Sequence, residues 1–301
     1  MFPWVFPAIA FAMTLILTPI LGAALRDRGI VGRDLHKENT RYVPELVGIA
    51  ILISFTSSIL LAYLYLQASF LLLTAAAVLL VGLMGILDHY RPLTPREKIL
   101  GLGGIGLLFY AQPGGHGILF LLLIPLLFMA VCNFTNMLAG LNGLEIGVGA
   151  IASAGIALAA YLTASWTALV IAASMAASLF AFLIYNRYPA RVFPGDVGTL
   201  IIGAALFSAV YIGELYLAGA IILLPYLVDA GLKFVSAGVM SRHGQKPTLV
   251  KNGKLYPPPG GNLSLVRLLL RVRPMGEREV VALIWGIEAV FVAAALAGVA
   301  L

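Results

Sequence analysis

From Leu46 to Leu87 the chain runs for 42 residues without one charged side chain. Crossing the hydrocarbon core of a bilayer takes about 20 apolar residues in a helix, so this run holds two crossings, broken at Gln67-Ala68-Ser69. The same rule organises the rest of the chain. Pro3 to Leu25 is a first span, and no basic stretch precedes it as one would in a cleaved signal. Ile99 to Leu144 holds two spans divided at Gln112-Pro113-Gly114-Gly115, and Ile146 to Asn186 holds two more divided near Thr163-Ala164-Ser165. Two follow at about 198–213 and 216–240, and a last one runs from about residue 280 to the carboxyl end. The reading is an all-α integral membrane protein of about ten transmembrane helices, with residues 1–301 as a single transmembrane domain. Composition agrees. With 61% hydrophobic and 11% charged residues and a mean hydropathy of +1.01, the chain lacks about half the charge that a soluble domain needs at its surface. Cys132 is alone, which excludes an internal disulfide framework.

Charge placement tests the count. Arg26, Arg28, Arg33, Lys37 and Arg41 follow the first span; Arg91, Arg96 and Lys98 the third; Arg187 and Arg191 the seventh; the other nine basic residues lie at or after the end of the ninth. All nineteen then fall on one side, which the positive-inside rule makes cytoplasmic, with both termini outside. The net charge of +6 thus reflects topology, and no basic reading element for nucleic acid is present. The cytoplasmic loops are about 26–45, 88–98, 133–144, 187–197 and 241–278.

The polar clusters share that side. Asn133-Phe134-Thr135-Asn136-Met137-Leu138-Ala139-Gly140-Leu141-Asn142-Gly143 joins spans five and six, Asp88 follows span three, and Asp196 precedes span eight. Loops distant in sequence can converge there on a polar, anionic, cytoplasmic ligand, and a few carboxylates facing an anion call for a bridging divalent cation. Asn133 and Asn136, three apart, share a face of a helix continuing span five, and Gly140 and Gly143 then break it and expose backbone. Asparagines and glycines also serve as packing and hydrogen-bonding groups between membrane helices. In the second cluster, Pro194-Gly195 turns the chain and leaves Asp196 at the start of span eight, where a carboxylate also serves as a helix cap. Phe193 beside it fits an interface anchor equally well.

Together these residues carry a resemblance. N-x-x-N-M-L-A-G-L-N-G-L-E (133–145) with Y-P-A-R-V-F-P-G-D (188–196), G-R-D-L-H-K-x-x-x-R-Y-V-P-E (32–45), and Asp88 ten residues before Lys98 are similar, in order, to the polyprenyl-phosphate N-acetylhexosamine-1-phosphate transferases. The branch with the eukaryotic dolichyl-phosphate GlcNAc-1-phosphate transferase is the nearest. The resemblance implies transfer of GlcNAc-1-phosphate from UDP-GlcNAc to a membrane polyprenyl (dolichyl) phosphate, releasing UMP, as the first step of lipid-linked glycan assembly in the plasma membrane. It implies Mg²⁺, or Mn²⁺ in its place, held by Asn136 and Asp196; Asn142 and Phe193 on the uracil, with Asn133 and Glu45 as further substrate contacts; and Asp88 and Lys98 serving the acceptor phosphate. Arg242, His243 and Lys246, in a basic stretch resembling one that contacts the diphosphate and sugar, complete the set, and homodimers occur in the family. Two positions depart from the commoner pattern: Asp88-His89 stands where most members have two aspartates, and Ala139 and Asn142 stand where bacterial members have acids. Alternatives are another UDP-sugar within the family, or a ten-helix transporter or flippase for an anionic or lipid-linked substrate. Two acids remain inside spans: Asp229, paired by spacing with Lys233, and Glu288 with no evident partner.

Overall fold

A computed structural model describes residues 4–38, 41–110, 117–237 and 247–300. The break expected at 112–115 lies outside those residues, as do Arg242, His243 and Lys246. Twelve helices and two small hairpins make up the described chain. Helix α1 (Val5–Asp27) leads into a hairpin of β1 (Val31–Asp34) and β2 (Arg41–Pro44), which pair antiparallel with Val31 opposite Pro44. Then come α2 (Ile49–Leu66), α3 (Ser69–Tyr90), α4 (Pro95–Tyr110), α5 (Ile118–Met137), α6 (Leu144–Leu162), α7 (Trp166–Asn186) and α8 (Gly195–Ile212). The chain closes with α9 (Tyr216–Ile222), α10 (Leu224–Ala237), a second hairpin β3 (Leu249–Lys251) and β4 (Lys254–Tyr256), α11 (Leu265–Val272) and α12 (Glu277–Ala300).

Eight of these helices are long and apolar enough to cross a membrane, and the bent pair α9 and α10 brings the number to nine if it counts as one span. Helix α4, with 16 described residues, is shorter than those spans, so the described helices give eight or nine crossings where the sequence suggested ten. This is a multi-pass membrane protein. The helix breaks fall where polar or glycine-rich residues interrupt the apolar runs, at Gln67-Ala68 and at Thr163-Ala164-Ser165. The ninth span, expected as one helix, is instead bent by 54° after Ile222. Pro225 accounts for it, because its ring clashes with the carbonyl four residues earlier and it has no N–H to donate. Asn133 and Asn136 sit in the last turns of α5, which continues span five to Met137 as their spacing suggested.

Burial sorts the helices into an inner and an outer set. In α6 and α8, 78% of the span is enclosed by protein, against 28% in α1, α5 and α12. Helix α8 packs on α3, α5 and α7, and α6 packs on α7 and α12. Without a hydrophobic drive between helices in lipid, such contact depends on small residues that let backbones approach. A Cβ on Gly203 of α8 would stand 2.5 Å from Cα of Cys132 in α5, and one on Gly85 of α3 would stand 2.6 Å from Cα of Val197 in α8. The Gly85 contact matters most for function, since Asp88 lies one turn beyond it and Asp196 is adjacent to Val197.

The intramembrane acids follow the sequence reading. Asp229 and Lys233 pair at 2.7 Å within α10. Glu288 in α12 is fully buried, with neither carboxyl oxygen bonded among the described residues.

Replacing Gly85 by Ala drives a methyl group into the α8 backbone and should cost about 1–3 kcal/mol. The same change at Gly103 of α4, which faces open space, should be neutral or stabilising by up to about 1 kcal/mol. Thermal unfolding of the two variants in one detergent checks this, and an unchanged midpoint for Gly85→Ala would show that α3 and α8 are not in close register.

Candidate active site

The chain's polar residues gather at one end of the bundle, where α3, α5, α7 and α10 finish and α4, α6, α8 and α12 begin. At its centre is the Lys98 ammonium, 2.7 Å from Oδ2 of Asp88 and 2.8 Å from Oδ2 of Asp196. Asp88 ends α3, Lys98 is in the first turn of α4, and Asp196 is in the first turn of α8, so one cation joins three elements. The two carboxyl groups also lie within hydrogen-bonding reach of each other. Asp88 Oδ1 further accepts the Leu93 N–H at 2.7 Å, which folds the short α3–α4 loop back over the site. Both aspartates are 7% exposed, so their like charges are close in a poorly solvated setting and need the ammonium between them.

Glu45 and His89 join Asp88 and Asp196 in lining a recess of about 10 Å³, room for one water or one small ion. Asn136, in the last turn of α5, is not one of the residues lining that recess. Its Oδ1 accepts a hydrogen bond of 2.6 Å from Thr199 Oγ1, which is also 3.2 Å from the Asp196 carbonyl. Thr199, one turn into α8, therefore ties the amide of Asn136 to the turn that carries Asp196. Sequence reasoning missed it, although it stands only three residues after the motif ends at Asp196. Carboxylates and a side-chain amide oxygen are hard oxygen donors of the kind that hold Mg²⁺, and three carboxyl groups against one ammonium leave room for a cation's charge.

Phe193 is set by backbone pairing. Its N–H donates to the Pro44 carbonyl at 2.8 Å and its carbonyl accepts from Val47 at 3.0 Å, while Gly48 N–H reaches the Pro194 carbonyl at 3.0 Å. The first hairpin is thereby stitched to the α7–α8 loop. Gly32 sits between Glu45 and Phe193: a Cβ there would be 2.9 Å from the Glu45 carboxylate and 3.3 Å from the Phe193 ring. Glu45 and the half-exposed Phe193 ring therefore belong to one surface.

Asn142 and Asn133 occupy other surroundings. Asn133 donates its amide to the Met129 carbonyl of its own helix at 2.9 Å. Asn142 is buried, its side-chain oxygen accepting from Ala190 N–H at 2.8 Å and its side-chain nitrogen 3.5 Å from Asp34. Its backbone N–H donates to Glu277 at 2.7 Å. Glu277, at the start of α12, also pairs with Lys37, which bonds Asp34 at 3.2 Å. The Lys37 ammonium and the Arg278 guanidinium each lie over the Tyr188 ring, 4.4 and 4.7 Å from its centroid, as cation–π contacts. This lattice locks the 138–143 loop, in which Gly140 and Gly143 both adopt positive φ, against three other segments. Its members were not foreseen because Glu277 is 135 residues from Asn142.

The second hairpin is anchored to the first loop: His36 Nδ1 lies 2.6 Å from Thr248 Oγ1, and Glu38 accepts Gly253 N–H at 2.9 Å. Burial pushes the His36 imidazole down to about 4, so at neutral pH it adds no charge to the site. Arg267 of α11 turns inward and donates to the Asn262 carbonyl at 2.5 Å, while Leu268 and Val272 face outward.

Residues 70–214 match the model of the family described as glycosyl transferase family 4. A protein of Methanocaldococcus jannaschii, provisionally named a glycosyltransferase, is 42% identical over 92% of this chain and 90% of its own length. One from Sulfolobus acidocaldarius, provisionally named a UDP-N-acetylglucosamine–dolichyl-phosphate N-acetylglucosaminephosphotransferase, is 30% identical over 94% of this chain and 92% of its own. The phospho-N-acetylmuramoyl-pentapeptide-transferase of Halalkalibacterium halodurans is 27% identical over 66% of this chain and 71% of its own. The matched segment contains Asp88, Lys98, Asn136, Phe193 and Asp196, and with relatives this similar over nearly its whole length the chain belongs to glycosyl transferase family 4.

Proposed function

We propose that this protein transfers GlcNAc-1-phosphate from UDP-GlcNAc to a membrane polyprenyl (dolichyl) phosphate, releasing UMP, on the cytoplasmic face of the plasma membrane. The observation that carries the reading is the Lys98 ammonium bonded to both Asp88 and Asp196 at the bundle end that also presents Asn136 and Phe193. An oxygen of the acceptor phosphate attacks the sugar-bearing phosphorus of the nucleotide sugar. The new P–O bond forms as the bridging P–O bond breaks, and the bridging oxygen leaves with UMP.

Such a transfer needs positioning and charge neutralisation more than covalent chemistry. Asn136 and Asp196 would hold Mg²⁺, or Mn²⁺, which supplies charge neutralisation at the diphosphate. Lys98 gives a point charge for a phosphate oxygen. Asp88 positions the acceptor: a phosphate monoester is already largely ionised at neutral pH, so proton removal is not its main task. Phe193 offers a flat apolar face to the uracil. Asn142, with its side-chain oxygen committed to Ala190, acts on the nucleotide through the loop it holds and through its remaining amide N–H. His89 lines the recess where most relatives of this type carry a second aspartate, so the mechanism uses one carboxylate at that point. Arg242, His243 and Lys246 are assigned to the diphosphate and sugar on the sequence resemblance alone. Lipid-linked glycan assembly is the process that consumes the product, and two copies of the chain would work as a homodimer. The transporter reading draws no support from the site, since its ionisable groups gather at the bundle end and not at the midplane.

Purified protein given dolichyl phosphate and a panel of UDP-sugars should release UMP with UDP-GlcNAc in Mg²⁺ and none in EDTA. Release with a different sugar would correct the donor, and metal-independent release would remove the cation. In the same assay Asp196→Asn should lower kcat by about 10²-fold or more, by loss of the charged cation ligand, without unfolding the protein. Wild-type turnover in this variant would take Asp196 off the metal. Phe193→Ala should raise the KM for the nucleotide sugar about tenfold with a smaller effect on kcat, because stacking binds ground and transition states alike. Unchanged KM would place the uracil elsewhere.

A further inference from the structure

On the flank of the bundle, the last turns of α1, the end of β2 and the 185–192 segment enclose a cleft of about 500 Å³. None of Asp88, Lys98, Asn136 or Asp196 lines it. Its walls are apolar, from Pro19, Gly22, Ala23 and Val192 among others, and its rim carries Arg26, Arg41 and Arg191 with a single acid, Asp27. Arg191 is preset: it donates to the Ile184 carbonyl at 3.0 Å, and its guanidinium lies 5.0 Å from the centre of the Tyr185 ring. Tyr185 is fixed in turn by its hydroxyl, which donates to the Leu15 carbonyl of α1 at 3.1 Å. Arg26 and Arg41 are exposed, and among the described residues neither forms an ion pair or a side-chain hydrogen bond. Two free guanidinium groups and one fixed one therefore face a common space.

The approach to this cleft is from the bilayer. Ile16, Pro19, Ile20 and Ala23 are all exposed and follow one another at helical spacing, so they form a lipid-facing stripe of α1 that ends at Arg26. An apolar track leading to a cationic mouth at the end of a span matches an amphiphile with an anionic head. We propose that the cleft is a binding site for an anionic bilayer phospholipid, its phosphate among Arg26, Arg41 and Arg191 and its acyl chains along the α1 stripe. Guanidinium groups suit phosphate through paired N–H donors, and basic pockets between spans on the side of the anionic leaflet are where such lipids are held. Pro44 and Val192, which line the cleft, precede Glu45 and Phe193, and Phe193 N–H bonds the Pro44 carbonyl. A lipid in the cleft thus buttresses the segment that presents Phe193, from outside the site itself.

The test uses the full chain in neutral detergent, with native mass spectrometry of binding to phosphatidylglycerol and to phosphatidylcholine of the same chains. The wild type should bind phosphatidylglycerol preferentially. Each guanidinium lost should weaken that binding about fivefold, so Arg26→Gln should cost about fivefold and Arg26→Gln with Arg41→Gln about twenty-five-fold, with phosphatidylcholine unaffected. Unchanged phosphatidylglycerol affinity in the variants would overturn the proposal. So would an equal loss in a control carrying Lys251→Gln and Arg271→Gln, which would make the effect one of diffuse surface charge. Displacement of the lipid by inorganic phosphate at equal concentration would assign the guanidinium groups to free phosphate instead.

Discussion

One ammonium group holds this site together. Asp88 and Asp196 belong to helices α3 and α8, whose backbones approach so closely at Gly85 and Val197 that the two carboxyl groups must meet. Without Lys98, two acids this close and this little solvated would repel or take up protons; with it, α3, α4 and α8 share a charge-compensated junction. Buried ion clusters are seldom retained for stability alone, since apolar residues would pack as well or better. On the proposed function, the cluster acts on phosphate groups. The rest of the bundle end supports that junction: Thr199 ties Asn136 to the turn bearing Asp196, and backbone pairing between residues 44–48 and 193–194 sets Phe193 beside Glu45.

A second lattice, built on Lys37, Asp34, Glu277 and Asn142, performs a different task. It fixes the irregular 138–143 loop between the first hairpin, the α7–α8 loop and the start of α12. Irregular backbone at the membrane boundary persists only where its polar groups are satisfied, and here buried side chains from distant parts of the chain do so. Asn142 is as much a part of this scaffold as of any ligand surface. The site can therefore be divided into groups that face the recess and groups that shape the loops around it.

Much of the architecture was legible because span length and charge are coarse signals set by the bilayer. Gln67-Ala68 and Thr163-Ala164-Ser165 were visible as breaks, and the Asp229–Lys233 pair followed from helical spacing. The convergence of Asp88, Lys98 and Asp196 was readable from their placement on one side, and their mutual contact is what the fold adds. Other features were hidden for physical reasons. Helices apolar on all sides carry little information about which face meets which neighbour, so the central position of α6 and α8 could not be read from periodicity. The 54° bend in the ninth span had a visible cause in Pro225, but hydropathy averaged over the window passed across it. The partners of Asn142 could not be foreseen, because Glu277 comes from the far end of the chain and the four-residue hairpin strands are too short to announce themselves.

The proposed transfer requires a divalent cation held beside Lys98 against the nucleotide diphosphate. Crystals grown with UMP and Mn²⁺, measured at a wavelength where manganese scatters anomalously, would test it directly. One anomalous peak is expected within coordination distance of the Asn136 amide oxygen and an Asp196 carboxylate oxygen, with the uracil against Phe193. A manganese peak away from Asp196, or a bound nucleotide with no peak in the recess, would contradict it.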